Sequence, residues 1–115
     1  MLPKKFRLKI NKAGSEKWPN KKFIYTPLFK FIYRYDEKAI ETPKVGFIVS
    51  GKIGKAIQRN RARRVLTEAV RKKIKEFPPQ IEVVIIGNKG LEKAAHEEIS
   101  DQVNKILSKI NIPAK

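Results

Sequence analysis

Arg59, Arg61, Arg63 and Arg64, preceded by Lys55, crowd five cations into the stretch "GKAIQRNRARRVL" (54–66). A guanidinium is always charged, and its planar fork of donors matches two phosphate oxygens at once. Side chains of one sign on successive turns repel unless an anion lies among them, and only Glu68 and Glu76 interrupt this row. Such a row can hold a polyanion; it carries no group that could break a bond. At about 100° per residue, Asn60, Arg64, Thr67, Arg71 and Lys75 form the middle of one polar face. Arg59 and Arg63 flank it on one side, Arg61 and Lys72 on the other. Cations in a first helical turn also oppose the helix dipole, at about 0.3–1 kcal/mol each. A local inconsistency of this kind marks function rather than stability.

The rest of the chain offers little to a catalyst. His96 is the single histidine and there is no cysteine, so a zinc site or a Ser–His–Asp triad lacks its ligands. Asp36, Glu37 and Glu41 are read as solubilising loop residues, and a two-metal nuclease needs several converging carboxylates. "GKIG" (51–54) fails as a phosphate-binding P-loop, because Val49 and Ala56 stand where that pattern needs Gly and Ser or Thr. It fits a KH-type clamp by letters, but a strand precedes it where a helix should. A glycine turn from strand to helix is the simpler reading. No catalytic or metal-binding residues are expected.

Charge sets the class of partner. The 115 residues hold 27 basic and 11 acidic side chains, net +16. Residues 1–75 carry 22 basic and 5 acidic groups, and residues 76–115 carry 5 and 6. Solubility alone does not explain that asymmetry; attraction of a nucleic acid does. No apolar run is long enough to span a bilayer, no lysine-rich helix shows bulky apolar anchors, and the N-terminus lacks a secretory core. The absence of cysteine suits a reducing cytoplasm.

These residues need a frame. Residues 1–22 read as irregular, with at most a short helix over 5–13. "FIYTPLFKFIYRY" (23–35) has a strand's composition, and Pro27 places either a strand start after it or an edge there. Beyond it Phe29, Phe31, Tyr33 and Tyr35 share one face: core, a stacking platform for unpaired bases, or a mixture of the two. "DEKAIETP" (36–43) reads as a hairpin loop leading to an antiparallel strand over 44–50. A helix spans 55–77, burying Ala62, Val65, Leu66, Ala69, Val70 and Phe77. "IEVVII" (81–86) is apolar throughout, as in a strand from a sheet's middle. A last helix, 91–110, carries the stripe Leu91, Ala94, Ala95, Ile99, Val103, Ile106, Leu107 and Ile110. The expected fold is α+β: one RNA-binding domain over 1–115, a two-layer sandwich with one central sheet and helices packed on it.

Residues 44–72, "KVGFIVSGKIGKAIQRNRARRVLTEAVRK", resemble the signature of the bacterial ribonuclease P protein subunit. Val45-Gly46 and Val49 end the strand, Lys52-Ile53-Gly54-Lys55-Ala56 form the turn, and Arg59 through Arg64 form the R-N-R helix. The resemblance implies a protein that assists a catalytic RNA, 1:1, in removing the 5′ leader of precursor tRNA in the bacterial cytoplasm. RNA and substrate would carry the Mg2+. Lys52, Lys55, Arg59, Asn60, Arg61, Arg63, Arg64 and Arg71 would bind RNA, and Phe31, Tyr33 and Ile48 would line a cleft for the leader. It also implies a left-handed β-α-β crossover. Two departures stand out: residues 8–22 lack the family's N-terminal Phe pair, with Trp18 as a substitute, and Thr67 stands where an arginine is favoured. The alternatives are a purely structural RNA binder, such as a ribosomal-type protein or RNA chaperone, and a DNA-binding module.

Overall fold

The computed structural model describes residues 6–8, 21–35, 43–49, 53–78 and 80–110. The expected hairpin loop lies outside them except for Pro43, as does most of the expected N-terminal helix. The elements are strands β1 (Lys22–Tyr25), β2 (Phe29–Tyr35) and β3 (Lys44–Ile48), helix α1 (Ala56–Lys73), strand β4 (Ile81–Gly87) and helix α2 (His96–Ile110). They form one four-stranded sheet in the order β1-β2-β4-β3. Both helices pack on one face of it.

Pro27 divides the aromatic stretch into two strands. Thr26 N–H donates to the Phe29 carbonyl at 2.9 Å, closing a tight turn with Pro27 second. The fixed φ of proline suits that position. The Thr26 hydroxyl accepts from the Phe29 N–H at 2.9 Å. β1 and β2 therefore form the hairpin, with Tyr25 opposite Lys30.

The hairpin expected between residues 28–35 and 44–50 is not formed. β4 lies between them, antiparallel to β2 and parallel to β3. The reason is burial: Ile81, Val83, Val84 and Ile85 are buried on both faces, which only an inner position satisfies. β3 and β4 are thus parallel neighbours joined through α1.

The core joins Phe29 and Phe31 of β2, Val45 of β3 and Val83 and Ile85 of β4 to Leu66, Val70, Ile99, Val103 and Ile106 of the helices. The expected apolar stripes hold, except that Ala95 is exposed. The first helix ends at Lys73 and continues as a 3-10 turn, Ile74–Glu76. The last begins at His96 after a separate 3-10 turn, Leu91–Lys93.

Among the described residues no helix packs on the other face, where Ile32 and Val84 are nonetheless buried. There Arg34 Nε donates to Glu82 Oε1 at 2.7 Å across directly opposed positions, both side chains mostly buried. Replacing Arg34 by leucine strands a carboxylate in that half-dry setting. The expected loss is about 1–2 kcal/mol, read as a lower urea midpoint at unchanged slope.

Candidate nucleic-acid interface

α1 begins at a turn whose backbone suits glycine. Gly54 has φ +145°. The Gln58 side chain folds back so that its Oε1 accepts the Lys55 N–H at 2.8 Å, satisfying one of the helix's orphan donors. No acidic residue stands in the first turn. Arg59 Nη1 donates to the Gly54 carbonyl at 2.9 Å, so this arginine, partly buried, braces the turn that launches the helix.

The basic residues then separate by direction. Asn60, Arg63 and Arg64 line an open groove of about 750 Å3. Leu8, Val45, Gly46 and Phe47 supply its apolar lining, with Arg7 opposite and Thr67 and the Arg71-paired Glu68 at one end. β3 is an edge strand, and the chain around Arg7 pairs with it: Leu8 N–H donates to the Val45 carbonyl at 3.1 Å. Arg63 Nη1 donates to Asn60 Oδ1 at 3.3 Å, and Arg64 has no hydrogen bond or ion pair among the described residues. Cations beside an apolar lining can take a phosphate and its sugar together.

The remaining positions differ. Arg61 turns away from the groove and donates from Nε to the Glu92 carbonyl at 2.9 Å, tying α1 to the Leu91–Lys93 turn. Arg71 is held by Glu68 through two contacts of 3.0 and 2.8 Å. That hydrogen bond, and then the charge of Arg71, hold the Glu68 carboxyl below its ordinary value. The same bond raises Arg71. Lys55 is exposed, and Lys52 lies outside the described residues. Thr67, expected mid-face, is 9% exposed and donates its hydroxyl to the Arg63 carbonyl at 2.6 Å. Arg7 and Leu8 were not expected at the groove, since nothing local signals a pairing with Val45.

The three expected cleft positions, Phe31, Tyr33 and Ile48, do not share one face of the sheet. The register sets Val45 beside Val83 and Val83 beside Tyr33, so these three share the helix-bearing face. Ile48 sits beside Ile86 and then Lys30, on the opposite face from Phe31 and Tyr33. Phe31 is 1% exposed and packs on Phe77, with centroids 6.4 Å apart, so its ring is core. The aromatic row is a mixture: Phe29 and Phe31 are buried, Tyr33 is partly buried, and Tyr35 is exposed. Tyr33 lies two strands inward from β3 and does not line the groove.

Burial raises the Tyr33 phenol above its ordinary 10.0. Burial first, and then Tyr33 itself, raise Tyr35. A group whose folded pKa is raised stabilises the fold below its unfolded value and loses that contribution as pH climbs through the folded one. Melting temperature should therefore fall as pH rises above about 10. Replacing both tyrosines by phenylalanine should remove the late-ionising component from an absorbance titration and flatten that fall.

Among the described residues no three His, Asp or Glu side chains converge where a metal could sit, and no helix is long and apolar enough to cross a membrane. The sheet, its helices on one face and the arginine-lined groove define a small basic α+β protein. The chain belongs to the Ribonuclease P family, whose profile matches residues 2–111. It is 34% identical over 90 residues to the ribonuclease P protein component of Carboxydothermus hydrogenoformans, covering 78% of each chain. It is 29% identical over 115 residues to that of Syntrophomonas wolfei, covering 100% of this chain and 95% of the other. The solved RNase P protein of Thermotoga maritima superposes with a TM-score of 0.77 at 21% identity, over 91% of this chain and 100% of that one. The Staphylococcus aureus protein gives 0.74 at 18% identity, over 93% and 96%. The fold expected from the sequence, one sheet with helices packed on it, is the fold these proteins share.

Proposed function

We propose that this protein binds the RNA subunit of ribonuclease P through α1 and its groove, and that the assembly removes the 5′ leader of precursor tRNA. The observation that carries the reading is the row Asn60, Arg63 and Arg64 facing Arg7 across an apolar lining. Lys55, Arg59 and Lys52 extend the contact at the helix start. Arg61 and Arg71 have protein partners already and contribute mainly field. Of the three cleft positions, Tyr33 alone keeps a partly exposed ring on its face and stays the candidate for leader contact. On this reading the RNA and the substrate hold the Mg2+.

The test is cleavage of a labelled precursor tRNA by a cognate ribonuclease P RNA at low magnesium, with and without the protein. A steep gain with the correct 5′ end supports the reading. Binding without acceleration would leave a structural RNA binder, and a preference for duplex DNA would leave a DNA-binding module. Assembly should be mostly electrostatic: with about five phosphates met, log K should fall with log salt at a slope of about −3 to −5, and a flat response would refute that.

A further inference from the structure

Among the described residues Phe23, Tyr25 and Tyr35 are exposed aromatics that neither the core nor the groove uses, and the first two stand together. These two lie on edge strand β1, on the face opposite α1 and α2, 45% and 66% exposed. Their rings are parallel within 2°, with centroids 6.1 Å apart. Lys21 Nζ lies 5.6 Å above the Phe23 centroid, and Lys30 Nζ lies 5.9 Å above that of Tyr25. Residues 21–35 hold three lysines, one arginine and no acid.

Sheet pairing explains part of this. Phe23 opposes Ile32 and Tyr25 opposes Lys30, and such cross-strand pairs stabilise a hairpin. It does not explain two large parallel rings left in water on an edge strand, which is otherwise a liability for aggregation. Parallel rings two residues apart on a strand, ringed by cations, are what successive unpaired bases require: a π-face for each base and an ammonium for each phosphate. An exposed cation–π contact is weaker than base stacking, so an arriving base displaces the lysine toward the backbone it brings. A duplex, its bases already stacked on one another, has no free base face to offer.

We infer that Phe23 and Tyr25, with Lys21 and Lys30, form a stacking platform for single-stranded RNA, separate from the α1 groove. The inference rests on the reading of this protein as an RNA binder and adds a second class of RNA contact to it.

The test is fluorescence anisotropy with a short labelled oligouridylate, alongside binding of ribonuclease P RNA to the same preparations. Phe23→Ala with Tyr25→Ala should weaken oligouridylate binding about tenfold or more, with the salt slope unchanged, because stacking releases no counterions. Phe23→Tyr with Tyr25→Phe should restore the affinity. Should the alanine pair fail to melt cooperatively, Phe23→Leu with Tyr25→Leu keeps an apolar edge strand without π-faces, and the same loss is expected. Oligouridylate affinity unchanged in a folded variant, or an equal loss on duplex RNA, overturns the platform. If the unaltered protein still binds ribonuclease P RNA in that case, only the platform fails; if it binds neither RNA, the proposed function fails with it.

Discussion

Reversing two charges in the groove, Arg63→Glu with Arg64→Glu, should weaken binding to ribonuclease P RNA by about a hundredfold and leave thermal stability nearly unchanged. At about 4 Å in water, one charge pair is worth about 1 kcal/mol. Reversal replaces that attraction with a repulsion of similar size, so two positions forfeit up to about 4 kcal/mol before screening. Salt near the physiological range trims this toward a hundredfold. Both side chains are exposed, and neither anchors another element. Arg63 bonds only to Asn60 within its own helix, and Arg64 to nothing described. The slope of log K against log salt should also become shallower by about two phosphate contacts. Filter binding across a salt series, with a melting curve beside it, reads all three effects. Arg61→Ala is the contrasting case. Its bond to the Glu92 carbonyl joins two elements, so part of its effect should appear as stability rather than affinity.

That contrast shows where sequence reasoning stops. The helix, its buried stripe and the direction of its polar face follow from local periodicity, and all were legible. The middle position of β4 was legible too, because an apolar run on both faces fits nowhere else. What depends on contacts between distant residues was not. Arg61 and Glu92 are 31 residues apart, and no local pattern links them. Ile48 was joined to Phe31 and Tyr33 by the family resemblance alone, which fixes no register. With β4 between β2 and β3, the shared face is set by two registers, and Ile48 falls on the other side. Phe23 and Tyr25 sat within the same aromatic run as Phe29 and Phe31, with identical composition. Only the turn at Thr26–Phe29 separates an exposed pair from a buried one.

Ile57, 84% exposed in the first turn of α1, extends the same reasoning. Its periodicity never placed it in the core, and a branched apolar side chain among arginines gains nothing from water. Under the proposed function it would offer an RNA backbone an apolar contact beside the cations, as the groove lining would for Arg63 and Arg64.

The second large effect concerns the start of the helix. Gly54→Ala should cost about 2–4 kcal/mol of stability and weaken RNA binding as well. At φ +145° an L side chain is strained wherever it points, which costs about 1–3 kcal/mol. Space is closed too: a Cβ there would collide with the Gln58 Oε1 that caps the helix. To admit it, Gln58 must swing out and release the Lys55 N–H, losing a cap worth about 1 kcal/mol. Arg59 reaches back to the Gly54 carbonyl, so any shift of that peptide carries the first arginine of the row with it. The two contributions separate experimentally. Gln58→Ala removes the cap without the strain and should cost only the smaller part, with affinity little changed once the protein is folded. If Gly54→Ala unfolds at the same urea concentration as the natural chain, the turn is not the brace described. If it loses stability but binds RNA with full affinity below its midpoint, Arg59 is placed by the helix alone. A joint loss, larger than that of Gln58→Ala in both measurements, is the expected result, because one glycine sets both where α1 begins and where its first guanidinium is held.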